Sequence, residues 1–467
     1  MRYDLVIVGM GSGGIVAAEF AASIGVRVAV VERSRVGGDC LWTGCVPSKA
    51  LLASARVAHT MRTADLFGLS SADPLVDPAR IWARIRSIQE SIATRDDSHE
   101  RFEGIGVELV EGDAVLADAH TVTAGPRELR TRFVLLCTGS RPSVPPIAGL
   151  EEAGFATSET VFQLTRIPRS FVIIGGGPIA VELAQGLNRL GIRVALLEIL
   201  PRLLAREEPE LAEMLTRILE REGVAVHVGA LAERASVENG LKVLHGTASD
   251  EPLRLEAEEI LVAAGRTANT AGVGLEEAGV KVGPRGVEVD GRMRTSVSSI
   301  YAAGDVAGRF LFTHSAAYEA TIAVRNMFFP GSSRAPELVP WCTFTEPELA
   351  HAGLTAAEAT ERFGANRVRV RRIDFARSDR ARADGATEGA ILLVTARERV
   401  VGAHVLGPAA GELIQQLALL VRERRKLLDI AGLIHVYPTY STSINLLVAE
   451  AAYERARRYR WLIRKRG

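Results

Sequence analysis

The sequence predicts an α/β protein that contains two copies of one strand–turn–helix–strand unit and ends in a domain of mixed α and β structure. The first copy lies in residues 3–32, and the second copy starts at Phe171. The first glycines of the two turns, Gly9 and Gly175, are 166 positions apart. From Glu337 onward, strand-like runs and helices follow without another glycine turn of this kind. We therefore expect about three domains, which suits a chain of 467 residues.

The first copy has the pattern of a Rossmann-like dinucleotide-binding fold. The apolar strand Tyr3–Val8 leads into a glycine turn and an Ala-rich helix, and a second apolar strand follows. The three glycines of the turn and the acid that ends the second strand are Gly9, Gly11, Gly14 and Glu32. In such a fold the first glycine makes the tight turn, the second lets the backbone approach a pyrophosphate, and the third allows close packing of helix and strand. The acid hydrogen-bonds a ribose hydroxyl.

The second copy repeats this pattern between the strands Phe171–Ile174 and Ile192–Leu197. Its three small residues and its acid are Gly175, Gly177, Ala180 and Glu198. In both copies the acid comes 18 positions after the third small residue. Two units, each with its own acid, imply two different dinucleotides in one protein.

Each copy is followed by a short apolar strand that ends in a glycine turn. These segments are Phe133–Cys137 before Thr138 and Gly139, and Ile260–Ala264 before Gly265. The proline-rich segment Arg141–Pro146 is predicted to be the hinge between the first two domains. Further along, Asp305 follows Gly304 at a strand end, where its carboxylate can accept hydrogen bonds from the hydroxyl groups of a cofactor.

The remaining elements belong to one helix and to the last domain. A helix is predicted over Phe312–Phe329. The predicted strands and helix of the last domain are Val368–Phe375, Ala390–Ala396, Val400–Leu406 and Gly411–Arg422. No phosphate-binding loop is recognisable there.

Two cysteines, Cys40 and Cys45, are close enough in sequence to react with each other. A regular helix would hold their Cα atoms roughly 8.5 Å apart, too far for a disulfide, so the segment must bend, which Gly44 permits. A helix is predicted to start just after Cys45, and its free N–H groups and the nearby Lys49 would stabilise a thiolate. This pattern favours a reversible disulfide, although two core thiols or half of a metal site remain alternatives. No metal site is predicted, because no Cys or His partner stands at metal-ligand spacing.

The composition argues against several classes of function. The 56 basic and 56 acidic residues give a formal net charge of zero, which does not favour nucleic-acid binding. Four cysteines are too few for a secreted disulfide framework, and no apolar stretch reaches membrane-spanning length. We therefore expect a cytoplasmic protein without stable membrane insertion. The basic tail Tyr453–Gly467 is interpreted as a solvated helix end, with contact to a membrane surface or a partner as the alternative.

Taken together, these motifs resemble the pyridine nucleotide-disulfide oxidoreductase family, which includes dihydrolipoamide dehydrogenase, glutathione reductase and mercuric reductase. The segment Gly38–Lys49 is similar to the family pattern Gly-Gly-Thr-Cys-x-Asn-x-Gly-Cys-x-Pro-Ser-Lys. Both nucleotide motifs, Thr138-Gly139 and Gly304-Asp305 extend the resemblance over essentially the whole chain. The combination is specific for the family but not for the substrate.

The resemblance implies two cofactors and a homodimer. FAD would be bound by Gly9, Gly11, Gly14, Glu32, Thr138, Gly139 and Asp305. A nicotinamide nucleotide would be bound by Gly175, Gly177, Ala180, Glu198 and Gly265. NADH is expected rather than NADPH, because Glu198 would pair with a 2′-hydroxyl and repel a 2′-phosphate. The implied domains are an FAD-binding domain in two parts (1–145 and 269–335), an NAD(P)-binding domain (146–268) and an α+β dimerisation domain (336–467).

The resemblance also implies roles for the reactive residues. Cys45 would lie against the isoalloxazine as the charge-transfer thiolate, and Cys40 would be the interchange thiol that meets the substrate. Lys49 and Glu182 match the ion pair that the family places beside the reactive nitrogen of the flavin.

This sequence departs from the family pattern near its end and beside the first cysteine. In the lipoamide and glutathione enzymes, a histidine before the Pro-Thr pair acts as acid/base across the dimer, but here that position is Tyr437. A phenol with a reference pKa of about 10 is a poor proton acceptor at neutral pH. His435 is an alternative base. Asp39 and Trp42 replace the usual Thr and Asn, and we expect them to alter the disulfide potential and the width of the pocket.

The leading hypothesis is a homodimeric FAD enzyme that moves electrons from NADH through Cys40 and Cys45 to a small-molecule acceptor needing little proton transfer, such as a small disulfide, a quinone or a thiophilic metal ion. One alternative is a genuine dihydrolipoamide dehydrogenase that uses His435. A mercuric reductase-like enzyme is another, because Tyr437 matches that enzyme, although the C-terminal cysteine pair of mercuric reductase is missing. A redox-sensing flavoprotein module is the non-enzymatic alternative.

Overall fold

The structure, a computed structural model, describes residues 2–463. The strands in chain order are β1 (Arg2–Val8), β2 (Val28–Glu32), β3 (Val107–Glu111), β4 (Ala114–Asp118), β5 (Thr121–Ala124), β6 (Arg127–Leu136), β7 (Ser140–Pro142), β8 (Ala156–Thr157), β9 (Ser170–Ile174), β10 (Arg193–Glu198), β11 (Ala225–Val228), β12 (Ala230–Glu238), β13 (Leu241–Ala248), β14 (Glu251–Ala257), β15 (Glu259–Val262), β16 (Arg266–Ala268), β17 (Val282–Gly283), β18 (Gly286–Val287), β19 (Ile300–Ala302), β20 (Trp341–Thr343), β21 (Glu348–Gly353), β22 (Val368–Asp374), β23 (Ala390–Ala396) and β24 (Arg399–Gly407).

The α-helices in chain order are α1 (Ser12–Ser23), α2 (Gly38–Trp42), α3 (Cys45–Arg62), α4 (Pro78–Arg95), α5 (His99–Gly104), α6 (Leu150–Ala153), α7 (Pro178–Arg189), α8 (Pro209–Arg221), α9 (Thr313–Phe328), α10 (Ala356–Phe363), α11 (Asp379–Ala383), α12 (Ala410–Arg422), α13 (Thr442–Arg458) and α14 (Arg460–Ile463). Arg464, Lys465 and Arg466 of the basic tail lie outside the described residues. Within residues 2–463, none of the helices combines the length and the apolar character that a membrane span requires.

The first sheet is built around β1, which lies between β2 and β6 and pairs in parallel with both. The spatial order is β3-β2-β1-β6-β5-β4, and β19 pairs with β6. Residues 5–8 of β1 are all buried. Parallel strands that are covered on both faces read as continuous apolar runs, which is why β1 was predictable from its sequence. Through β19 the chain returns to this sheet after the second repeat unit.

The second repeat unit forms a separate parallel sheet with the order β11-β10-β9-β15-β8. An antiparallel sheet of β12, β13 and β14 packs beside it. The two sheet systems are joined by a short ribbon, because β7 pairs antiparallel with β16. The structure therefore differs from the predicted hinge Arg141–Pro146 at the first two residues. These residues belong to strand β7 and are held by its pairing with β16.

The last sheet is antiparallel, with the order β20-β21-β24-β23-β22. Every residue of β23, which lies between β24 and β22, is buried. Helices α12 and α13 cover one face with the apolar side chains Leu413, Leu417, Ile444 and Leu447. The predicted fold class is confirmed: two α/β units, one with a mixed sheet and one with a parallel sheet, are followed by an α+β unit. The exact domain boundaries at 145, 268 and 335 stay a prediction.

Candidate active site

A cavity of about 2000 Å³ lies where the three sheet systems meet. The predicted site residues that line it are Gly9, Gly11, Glu32, Cys40, Cys45, Lys49, Thr138, Gly139, Gly175, Gly177, Glu182, Glu198, Gly265 and Asp305. Gly14 and Ala180 are buried in helices α1 and α7. Tyr437 and His435 do not line the cavity. One space thus brings together both glycine turns and both cysteines.

The three glycines of the first turn meet different surroundings. A Cβ on Gly9, whose φ is +96°, would lie 2.4 Å from the backbone oxygen of Cys137. A Cβ on Gly14 would lie 2.0 Å from the backbone oxygen of Gly9. At Gly11 the nearest atom would be the Cα of Gly38, at 3.8 Å. Gly9 and Gly14 are therefore required by the protein itself, whereas Gly11 leaves room for a ligand at the backbone.

The second turn likewise contains one glycine that a backbone contact requires and one that faces open space. A Cβ on Gly175, whose φ is +122°, would lie 2.3 Å from the backbone oxygen of Ala263. Gly177 would have no atom within 4 Å of a Cβ, so it faces open space. Sequence reasoning missed Gly176, where a Cβ would lie 2.6 Å from a carboxylate oxygen of Glu198. The small residue at this position lets the acid lie directly over the turn.

The acids at the strand ends are oriented by backbone N–H groups. Met10 and Ser34 donate to the two carboxylate oxygens of Glu32 at 2.6 and 2.8 Å. In the second unit, Leu200 donates to Glu198 at 2.7 Å. Both carboxylates lie at the carboxyl end of a parallel strand, the edge of an α/β sheet at which ligands bind.

Asp305 belongs to a polar cluster that the sequence did not reveal. Its carboxylate accepts a hydrogen bond from the hydroxyl of Ser140 and lies 3.7 Å from Arg266 Nε. Arg266 also donates to the Ser140 hydroxyl at 2.7 Å and forms an ion pair with Asp39. Burial raises the pKa of Asp305, while the Ser140 hydroxyl and the Arg266 charge act in the opposite direction. Arg266 thus links Asp39, the residue beside Cys40, to Asp305, the acid that follows β19.

The two cysteines lie on either side of a sharp bend. Cys40 is on the short helix α2, and Cys45 is the first residue of α3. A Cβ on Gly44 would lie 2.9 Å from the backbone oxygen of Asp39, so the bend requires glycine there. Both cysteines are present as free thiols, and their side chains are hydrogen-bonded to each other. The bend lets the side chains meet in a way that a straight helix does not allow.

The environment of the pair distinguishes the two sulfurs. The hydrogen bond from Cys40 is the main cause that lowers the pKa of Cys45 to about 6. The Thr313 hydroxyl and the charge of Lys49 lower this pKa further, whereas burial raises it. The same hydrogen bond and burial raise the pKa of Cys40. The reduced pair is therefore a thiol at Cys40 and a thiolate at Cys45.

An ion pair lies next to Cys45. Lys49 Nζ on α3 is 2.7 Å from Glu182 Oε2 on α7. The other oxygen of Glu182 accepts the backbone N–H of Phe344 at 2.9 Å. The Glu182 side chain is 7% exposed, so removal of its partner would leave a buried charge.

Sequence reasoning missed two residues that support the cysteine segment. Thr313 Oγ1, at the start of α9, is 3.4 Å from Cys45 Sγ. The Gln89 amide donates to the backbone oxygens of Leu41 and Trp42 at 3.0 and 2.8 Å. Both residues are distant in sequence from the segment that they contact, and neither belongs to a recognisable motif. No signal in the sequence could have identified them.

The two candidate bases lie in a loop of the last domain. Tyr437 is 69% exposed, and its hydroxyl donates to Asp379 at 3.2 Å. Neither nitrogen of His435 has a hydrogen-bond partner among the described residues. Within one chain, these residues are not brought together with the cysteines.

Comparison with known proteins assigns the family. The model described as pyridine nucleotide-disulphide oxidoreductase matches residues 3–320, and the model of its dimerisation domain matches residues 339–448. The chain belongs to this family. Members are FAD-dependent and use a pyridine nucleotide, so the protein is an FAD-dependent oxidoreductase. The dimerisation domain supports a homodimer.

Family members with different names cover nearly the whole chain. Dihydrolipoyl dehydrogenase of Chlorobaculum tepidum is 34% identical over 97% of both chains. Mercuric reductase of Streptomyces lividans is 35% identical over 95% of both chains. The solved structure of the HOCl-induced flavoprotein disulfide reductase RclA from Escherichia coli has a TM-score of 0.85, with 26% identity, and covers 96% of this chain and 99% of RclA.

The first glycine turn fits the FAD of this family. Gly11 leaves its backbone open to the cavity, and the carboxylates of Glu32 and Asp305 face the same cavity. These groups can meet a pyrophosphate and sugar hydroxyls respectively. The cysteine pair lines the same space.

Proposed function

We propose that this oxidoreductase uses NADH to reduce an acceptor that needs little proton transfer, with Cys40 and Cys45 as its redox-active pair. The observation that carries the proposal is the combination of a stabilised Cys45 thiolate with tyrosine at position 437. A cysteine thiol with a pKa of about 6 is about nine-tenths in the thiolate form at pH 7 without an additional base. A phenol does not replace the imidazole base of lipoamide and glutathione enzymes.

The roles of the chain's own residues follow from their contacts. When bound, FAD supplies the two-electron chemistry that connects the nicotinamide with the disulfide. Cleavage of the Cys40–Cys45 bond by two electrons and one proton gives a thiol at Cys40 and a thiolate at Cys45. The hydride of NADH is equivalent to two electrons and one proton, so this reduction needs no further proton. The hydroxyl of Thr313 and the charge of Lys49 stabilise the thiolate. Cys40 attacks the acceptor as a thiolate, after its proton has passed to Cys45 or to water.

We propose NADH rather than NADPH as the donor because of Glu198. Its carboxylate would accept a hydrogen bond from a 2′-hydroxyl and repel a 2′-phosphate. The next two residues, Ile199 and Leu200, are apolar and exposed. The guanidinium of Arg202 donates to the backbone oxygens of Leu204 and Ala205 and is therefore directed away from a phosphate at Glu198.

Thiophilic metal ions are the acceptors that we would test first, ahead of small disulfides and quinones. Mercuric reductases are among the relatives, and one solved structure of RclA is described as its Cu(II) complex. A metal ion needs thiolates and electrons but no proton from the enzyme. We also propose that the enzyme works in the cytoplasm, where reducing conditions suit a pair of cysteines that cycles between thiol and disulfide.

Anaerobic titration with NADH tests the central proposal. We expect a long-wavelength absorbance band from thiolate-to-flavin charge transfer, which Cys45→Ser abolishes. Cys342→Ser is the matched control, because this half-buried thiol also lines the cavity but lies outside the pair. A wild-type protein that binds FAD and lacks the band would refute a working disulfide. Stopped-flow reoxidation of the reduced enzyme by Hg²⁺, Cu²⁺, cystine and a quinone then ranks the acceptors.

A second candidate function is dihydrolipoamide oxidation with His435 as the base. It is favoured by the dihydrolipoyl dehydrogenase relatives and by the two ring nitrogens of His435 that have no partner in the described chain. Assays with dihydrolipoamide and NAD⁺ should compare His435→Ala with Tyr437→Phe. Efficient turnover that is lost only in His435→Ala would replace our proposal.

A further inference from the structure

Three buried side chains converge behind the wall of the cavity and take no part in the proposed redox chemistry. Glu207 lies just before α8, His351 lies on β21, and His404 lies on β24. The two histidines are direct neighbours across the strand ladder. The relative exposures are 2% for Glu207, 1% for His351 and 0% for His404. One carboxylate oxygen and one ring nitrogen from each histidine all lie within 4.8 Å of one another. We call these three residues the Glu207 cluster.

The hydrogen bonds of the two histidines determine which ring nitrogens are free. Nε2 of His351 is 2.8 Å from the backbone oxygen of Gly353, and Nε2 of His404 is 3.1 Å from that of Leu354. A carbonyl oxygen only accepts, so each Nε2 carries the hydrogen. The neutral rings then have lone pairs at both Nδ1 atoms. A histidine that donates one N–H to a backbone oxygen is typical of metal ligands, because this bond fixes the ring for coordination through the other nitrogen.

Each residue of the cluster has one polar atom that makes no hydrogen bond. These atoms are Glu207 Oε2, His351 Nδ1 and His404 Nδ1, and all three are buried. Buried polar atoms without a partner are rare and costly, so three in one place call for an explanation. Trp341 Nε1 donates to the other oxygen of Glu207, which leaves Oε2 as the free ligand atom. The cluster therefore contains three buried polar atoms without a partner, one from each residue.

The spacing suits a small divalent ion. His351 Nδ1 is 3.2 Å from Glu207 Oε2. Two ligands on a tetrahedral zinc ion are about 3.3 Å apart when each bond is about 2.0 Å long. A second acid, Glu208, is 7% exposed, and its Oε1 lies 3.7 Å from His404 Nε2. The two carboxylates together balance a charge of +2. Glu207 also lines the large cavity, so the cluster lies beside that space.

We propose that the Glu207 cluster binds one Zn²⁺ ion through Glu207 Oε2, His351 Nδ1 and His404 Nδ1. Two imidazoles and one carboxylate form a ligand set that suits zinc and leaves a fourth position for water. The ion ties the segment before α8 to strands β21 and β24 of the last sheet. This metal site is separate from the cysteine pair and does not depend on the proposed acceptor. Sequence reasoning did not reveal this site, because its ligands come from the distant positions 207, 351 and 404.

The test must separate this cluster from the cysteines, which can also bind zinc. FAD-loaded Cys40→Ser/Cys45→Ser protein, prepared with Zn²⁺ and dialysed, should retain about one zinc per chain by mass spectrometry. X-ray absorption at the zinc edge should give only nitrogen and oxygen neighbours at about 2.0–2.1 Å, without sulfur at about 2.3 Å. Retention of no zinc, or a shell that contains sulfur, would overturn the proposal.

Ligand variants locate the site in the same background. Glu207→Gln keeps the size of the side chain and an acceptor for Trp341 but loses the charge, and His404→Gln removes one ring nitrogen. We expect each to weaken zinc binding at least about tenfold, measured by competition with a chromophoric chelator. His227→Gln, a partly buried histidine on β11, is the control and should bind zinc as before. Equal affinity in all variants would contradict the assignment. If a variant loses its FAD and does not fold, the X-ray absorption spectrum of the Cys40→Ser/Cys45→Ser protein still tests whether zinc is bound by nitrogen and oxygen atoms alone.

Discussion

Removal of the Thr313 hydroxyl tests how the protein stabilises the Cys45 thiolate. Thr313→Val keeps the shape of the side chain and deletes the hydroxyl, which lies 3.4 Å from Cys45 Sγ. Hydrogen bonds to charged groups contribute roughly 1.5–3 kcal/mol, and this long contact to sulfur belongs near the lower limit. About 1.4 kcal/mol corresponds to one pKa unit. Because the hydroxyl stabilises the charged form, its loss should raise the pKa of Cys45 from about 6 to about 7.

The thiolate-to-flavin absorbance of the anaerobically reduced enzyme provides the assay. The band should develop as the pH rises through the pKa of Cys45, so its midpoint should move up by about one pH unit in Thr313→Val. Thr321→Val is the control, because this threonine lies on the same helix and donates to Ala317 instead. An unchanged midpoint, a midpoint that moves down, or an equal change in the control would refute the assigned role of Thr313.

Three further predictions concern the glycine turns and the charged groups of the cavity. Gly14→Ala should destabilise the fold by about 1–3 kcal/mol or more, since its Cβ would lie 2.0 Å from a backbone oxygen. Gly11→Ala should have the melting temperature of the wild-type apoprotein, because a Cβ fits there, but it should bind FAD more weakly. Thermal melting and FAD titration check both. Glu198→Gln should raise kcat/KM for NADPH about tenfold or more, because it removes a like-charge contact; an unchanged NADH preference in steady-state assays would contradict this. Lys49→Gln should lower the unfolding free energy by about 2 kcal/mol, discounted for the partial exposure of Lys49, and Lys49→Gln/Glu182→Gln should recover most of this loss in denaturant titrations.

The repeated units were predictable because their signals are local. Burial on both faces requires apolar strands, and the tight turns require small residues, so the strand Phe171–Ile174 was placed to within one residue of β9. The bend at Gly44 was predictable because a straight helix would hold Cys40 and Cys45 too far apart to form a disulfide. The helix predicted over Phe312–Phe329 corresponds to α9, Thr313–Phe328. In each case the local structure is determined by a few residues that are neighbours in the sequence.

The contacts that tune the site were not predictable, because they join distant parts of the chain. Thr313 is 268 positions from the sulfur that it contacts. The partner of Asp39 is Arg266, and together they form a cluster that a single strand or helix pattern does not contain. The same holds for His351 and His404, which become neighbours only through the pairing of β21 with β24. Sequence periodicity predicts elements but does not predict which side chains meet after the sheets pack.

Glu182 explains why these separate elements have to assemble before the cysteine pair can work. It lies on α7 of the second unit, binds Lys49 on α3 of the first, and accepts the backbone N–H of Phe344, which follows β20 of the last sheet. The charges of Lys49 and Glu182 act on the Cys45 thiolate in opposite directions. A shift of any of the three units would leave a buried carboxylate without one of its partners, which costs several kcal/mol. The reactivity of Cys45 is therefore coupled to the packing of all three units, although the cysteine motif itself spans only a few residues.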